Sequence, residues 1–269
     1  MSDPGPRLYH SITLAGSEAA GAVVVCGSHG GMFVGALAAR LCVRAIVLCD
    51  AGGGLEDAGV SGVLALADAG IAAAAVGHVS ARIGDAEDML ARGRISRANR
   101  MAADLGVTPG MRVRDAAAVL QKAPAAVAAF REIEESRRIL RLASGIEAVL
   151  IDSVSLLVPQ DRGRVVVTGS HGGLVGGAPG TAAKVDAGFL AFSDAGIGAD
   201  AAGLGRLPVL AGRGIPAVTV GHETARIGDA GSIHATGIVS AVNAPAQALG
   251  FAPGTPLGAA LESVAWPGR

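Results

Sequence analysis

The chain has 269 residues, enough for one large domain or two modest ones. Hydrophobic residues make up 51%, charged residues 17%, and the formal net charge is -1, so there is no electrostatic footprint for nucleic acid or an anionic membrane surface. Aromatic content of 3% argues against a base-stacking platform, and no apolar run reaches the roughly 18 residues of a membrane span.

The opening residues 1–9 are polar and include two prolines, without the basic stretch and apolar core of a secretory leader. The three cysteines, Cys26, Cys42 and Cys49, are an odd number, which suits a reducing compartment. A cytoplasmic protein is the expectation.

In chain order, Ile12 and Leu14 suggest a short first strand. Residues 22–26 form a β-branched strand, followed by Gly27-Ser28-His29-Gly30-Gly31 and a helical pattern over 32–42. Residues 45–49 read as a second strand ending at Asp50. A helix is expected over 56–69, and a third strand over 71–76 ends at Gly77-His78. Alternating strands and helices imply parallel strands joined by right-handed crossovers.

The same order then recurs. Residues 50–110 align without a gap on 194–254, with nearly half the positions identical, and Gly27-Ser28-His29-Gly30-Gly31 aligns on Gly169-Ser170-His171-Gly172-Gly173. Val154 and Leu156 repeat the suggestion of an initial strand. The chain therefore reads as an α/β tandem duplication of a β-α-β-α-β unit in a pseudo-two-fold arrangement. Residues 1–112 are the first repeat, 113–146 a connecting helical segment and 147–269 the second repeat. Within the connector, the apolar spacing over 125–142 predicts an amphipathic helix, with Pro124 in its first turn and Gly145 just past its end.

All the shared motifs follow strands. The C-terminal ends of parallel strands meet at one edge, where open α/β sheets bind ligands. Ser28, His29, Asp50 and His78 are expected to converge there, as are Ser170, His171, Asp194 and His222, with one polar cleft shared by both sets as the expectation. The glycine-flanked turns suggest free N–H groups, supplied by Gly30, Gly31, Gly172 and Gly173, for an anion or an oxyanion. Arg82 and Arg226, in the shared Arg-Ile-Gly-Asp motif, suit a carboxylate or phosphate. Blander roles compete at each position. The serines and aspartates can cap turns, Arg82 can pair with Asp85, Asp85 can cap a helix at Ala86, and Ser96 can cap the next one. The cysteines have no cysteine counterparts in the second repeat, so a chemistry common to both does not use a thiol.

These residues point to a small-molecule enzyme, a hydrolase of amide, ester or cyclic amide type. Serine, histidine and aspartate would act on a small anionic or polar substrate anchored by arginine, with no cofactor. The alternatives are a divalent-metal hydrolase or lyase using His29, His78 and Asp50, a racemase or isomerase, and a non-catalytic anion binder. Neither nucleic acid nor membrane is expected as a partner. An apolar, Gly-rich surface is compatible with a homo-oligomer.

Overall fold

The computed structural model describes residues 5–125 and 129–266. The first sheet contains β1 (Arg7–Tyr9), β2 (Val23–His29), β3 (Ala45–Cys49), β4 (Ala72–Val76) and β5 (Ile95–Ala98), in that spatial order. Its helices are α1 (Met32–Arg40), α2 (Ser61–Ala65), α3 (Ala86–Arg92), α4 (Arg100–Asp104) and α5 (Val113–Leu120). The second sheet contains β6 (Arg137–Arg141), β7 (Glu147–Ile151), β8 (Val165–His171), β9 (Phe189–Ser193), β10 (Ala217–Val220) and β11 (Val239–Val242) in sequential order. With it go α6 (Arg206–Gly212), α7 (Ala230–Thr236), α8 (Ala244–Ala248) and α9 (Leu257–Ser263). The architecture is mixed α/β. β1 to β4 and β7 to β10 are parallel, while β5, β6 and β11 are antiparallel edge strands. Among the described residues no helix is long and apolar enough to cross a membrane.

Strand alternation explains why both faces of each sheet are covered. Val23, Val25, Val47 and Ala74 face one apolar cluster with Val113 and Leu120, while Val24, Ile46, Leu48 and Ala75 face another with Val34 and Val63. In the second sheet Val165, Val167 and Phe189 point to one side, and Val166, Leu190 and Phe192 to the other. A parallel sheet buried on both faces reads as an unbroken apolar run, as these strands do.

Several sequence expectations are corrected. The initial strands are Arg7–Tyr9 and Glu147–Ile151, upstream of the predicted ones. Ile12–Leu14 and Val154–Leu156 form 3-10 turns, because Ser11 and Ser153 hydroxyls accept from Thr13 and Ser155 amides and favour a turn over an extended run. The helix over 56–69 is reduced to α2 flanked by 3-10 turns at Leu55–Asp57 and Leu66–Ala69. There the backbone is drawn against the Ser-His turn, and a Cβ on Gly62 would lie 2.2 Å from the Gly31 carbonyl oxygen. Ser96 lies within β5, and the cap of α4 is Asn99, whose Oδ1 accepts from Ala102 N.

The amphipathic connector helix is also corrected. Residues 126–128 of that expectation lie outside the described residues; 137–141 form β6, hydrogen-bonded antiparallel to β7, and Gly145 (φ 79°) sits in the hairpin turn between them. The free edge of β7 gives the 137–141 backbone partners, and Arg137 Nη2 reaches the buried Asp161 carboxylate at 2.6 Å. Tertiary pairing overrides the helical period.

The two halves meet through reciprocal backbone bonds. Leu55 N donates to His222 O and Ala199 N to His78 O, both at 2.8 Å, and Gly176 N donates to Gly84 O at 2.7 Å. Gly84 has φ +81°, and an added Cβ would lie 2.2 Å from the Leu174 carbonyl oxygen. Gly84→Ala is therefore expected to lose about 3 kcal/mol, combining left-handed strain with a backbone clash. Gly106→Ala, at φ +100° with open space around it, should lose only about 1 kcal/mol. Urea unfolding of the two variants checks the contrast.

Candidate active site

Ser28 and His29 end β2, and Ser170 and His171 end β8. All four line one cavity of about 540 Å³, together with Glu135 and Arg206. That volume suits a small molecule. The cavity is bounded by both halves: the His29 ring lies beside Gly228, and the His171 ring beside Gly84.

The two imidazoles are held in the same way. His29 Nδ1 accepts from Gly31 N, and His171 Nδ1 accepts from Gly173 N, each at 3.1 Å. A nitrogen that accepts an N–H bond bears no proton, so the neutral ring carries its proton on Nε2. Neither Nε2 has a protein partner among the described residues, and neither atom is sealed from the cavity. Burial pushes the His29 imidazole down from 6.5 to about 4. Burial likewise holds His171 well below its ordinary value, helped by the nearby charge of Arg206. Both rings are therefore neutral hydrogen-bond donors at neutral pH.

This has a consequence for stability. The unfolded His29 takes a proton near pH 6.5, the folded one only near 4. Its contribution is complete above pH 6.5 and is lost as the pH falls through 4, by about 2–3 kcal/mol between pH 7 and 4.5. Urea unfolding should show wild type losing more than His29→Gln across that interval.

The glycine-loop amides are otherwise employed. Gly30 N donates to Cys49 O and Gly172 N to Ser193 O, both at 2.8 Å, while the amides of Gly31 and Gly173 are held by the imidazoles. The expectation of free N–H groups at Gly30, Gly31, Gly172 and Gly173 is corrected: their service is to fix the rings. Ser28 Oγ accepts from Ile12 N at 3.0 Å and Ser170 Oγ from Val154 N at 2.8 Å. Among the described residues neither hydroxyl is hydrogen-bonded to an imidazole.

Asp50, His78, Asp194 and His222 do not line this cavity, which corrects the expected convergence of all eight residues. They form two carboxylate–imidazole pairs at the seam between the halves. His78 Nδ1 lies 2.9 Å from Asp50 Oδ1 and His222 Nδ1 3.2 Å from Asp194 Oδ1, with ring centroids 6.2 Å apart. Burial opposes the charge of each aspartate. Hydrogen bonds from His78, Gly52 and Ser96 nonetheless hold Asp50 below its ordinary range, as those from His222, Gly196 and Ser240 do for Asp194. The bond to Asp194 raises the His222 imidazole. Each ring crosses the seam to a glycine of the other half, His78 to Gly196 and His222 to Gly52.

The arginines of the repeated motif are occupied. Arg82 is bonded to Asp85 and pairs with Asp88 and Asp200, outside the cavity lining. Arg226 lines the cavity, but its guanidinium is shared by Asp229 at 2.8 Å and Glu56 at 2.9 Å. Asp85 caps α3 through Asp88 N. Burial pushes the Cys26 and Cys49 thiols up to about 11 and 12. Among the described residues, no group of three or more histidine, cysteine or acidic side chains is placed to hold a metal.

Two residues of the site were not singled out in the sequence. Glu135 enters from the connector, and burial, set against a hydrogen bond from Ser153, raises its carboxyl from 4.5 to about 7. Arg206 is 1% exposed, with Nε donating to His171 O at 3.2 Å and Nη1 to the carbonyls of Thr181 and Ala182. Arg206 aligns with Gly62 and Glu135 with nothing, so no repeat signal marks them. The chain matches no protein-family model, and neither a curated protein nor a solved structure matches it.

Proposed function

We propose that this chain is a small-molecule hydrolase that cleaves an amide, ester or cyclic amide in the cavity shared by its halves. The observation that carries the reading is the pair of imidazoles, one from each half, held as neutral Nε2–H donors toward one cavity. Two fixed donors suit the oxygen of a carbonyl that becomes negative in the transition state. An imidazole tied at Nδ1 and protonated at Nε2 is a poor base for serine. The base assigned here is Glu135, whose carboxyl titrates near neutrality beside the cavity hydroxyls. It takes a proton from water as the water oxygen bonds to the carbonyl carbon. It returns that proton to the leaving nitrogen or oxygen as the scissile bond breaks. Ser28 and Ser170 orient substrate or water. A tandem duplication about a pseudo-two-fold axis accounts for the paired donors, and the aligned residues 50–110 and 194–254 support it.

A second reading places the chemistry at the seam. There each imidazole donates through Nδ1 to a carboxylate, which leaves Nε2 basic. A panel of small amides and esters tests both. Cleavage that disappears in His29→Ala/His171→Ala and survives in His78→Gln/His222→Gln supports the cavity, and the reverse pattern supports the seam. Absence of cleavage across neutral, acidic and cyclic members rejects hydrolysis.

A further inference from the structure

Arg206 is the one cavity-lining guanidinium without a carboxylate partner among the described residues. It is almost wholly buried, and one face of its guanidinium lies 5.2 Å from the centroid of the Phe192 ring. Its Nε and Nη1 bonds go to neutral backbone carbonyls, and Nη2 has no protein acceptor among the described residues. A buried charge ordinarily has a counter-charge, because removing an ion from water costs several kcal/mol. Burial lowers this guanidinium only to about 10, so it remains a cation at neutral pH. His171, whose backbone oxygen Arg206 holds, presents its own Nε2–H to the same cavity.

We infer that the substrate carries a carboxylate, and that Arg206 receives it while the Nε2–H donors of His29 and His171 face the reacting carbonyl. The inference rests on the hydrolase reading and gives the second half a task that the first lacks. Its chemical basis is a difference between the two halves. Arg206 stands where the first half has Gly62. Arg226, the expected anchor, is neutralised by Asp229 and Glu56. In the second half, the residues aligned with α1 form 3-10 turns at Val175–Gly177 and Pro179–Thr181, with Pro179 and three glycines interrupting any helix. That loop supplies the carbonyls that aim the guanidinium.

The test is binding at matched ionic strength, by calorimetry, of succinamate and succinate against the neutral succinamide. Wild type should bind the carboxylates about tenfold more tightly or better, as a charge-assisted hydrogen bond from a buried cation predicts. Arg206→Gln should lose that preference, and Arg206→Lys should keep part of it. Equal binding of acid and amide by wild type, no binding of either acid, or an undiminished preference in a folded Arg206→Gln overturns the inference. Should Arg206→Gln not fold, the wild-type comparison and Arg206→Lys still decide. A carboxylate preference without cleavage of any substrate would leave the anion site standing and remove the hydrolase. Cleavage of neutral amides without the preference would do the opposite.

Discussion

Replacing His29 and His171 together by alanine should lower kcat/KM for the cleaved amide or ester by about 10³-fold or more, since one oxyanion donor is typically worth about 10²–10³. The two donors act on one developing charge, so their effects should not simply multiply. Single glutamine variants distinguish the role. A glutamine amide still donates, and His29→Gln should retain more activity than His29→Ala. The same rings bond the amides of Gly31 and Gly173, so circular dichroism and thermal unfolding must accompany the kinetics. A folded double-alanine variant with wild-type turnover would remove these imidazoles from the chemistry. Imidazole ¹⁵N spectra supply an independent check, in which both rings should appear as the Nε2–H form at neutral pH.

Glu135→Gln should cost about 10²–10⁴ in turnover, the usual contribution of a positioned base. The direction with pH follows from the raised carboxyl. The base form appears as the proton leaves, so wild-type activity should climb through pH about 7 and level off above it, and the variant should lack that rise. Stability moves the other way. The unfolded carboxyl loses its proton near 4.5 and the folded one near 7, so its contribution is complete below 4.5 and is lost as pH rises through 7. At alkaline pH Glu135→Gln should therefore be at least as stable as wild type. An activity loss in that range cannot then be assigned to unfolding. Persistence of the rise near pH 7 in the variant would exclude Glu135 as its source.

Much of the site was legible because it follows strands. Val23 to Cys26 and Val165 to Thr168 lie in parallel strands of two covered sheets, and Ser28, His29, Ser170 and His171 end those strands at a cavity. Strand ends were legible through β-branched runs and the glycines after them. The fate of the glycine amides was not. Whether Gly31 N serves a ligand or the His29 ring depends on a 3.1 Å approach that spacing does not encode. The connector misled in a related way. An i, i+3, i+4 pattern around Ile139 and Leu140 describes a helix only when no open sheet edge competes for the same backbone groups, and β7 provides one.

By itself, then, the amino-acid order determined the α/β class, the strand-to-turn positions of the paired motifs and the apolar faces. Each of these arises from interactions between near neighbours. Only the tertiary structure decided that His29 and His171 share a cavity, that Asp50–His78 and Asp194–His222 stand apart from it, and that Glu135 and Arg206 enter it. Those outcomes depend on how one half closes against the other. Burial and a few cross-seam hydrogen bonds then assign each charge its partner, or leave it without one.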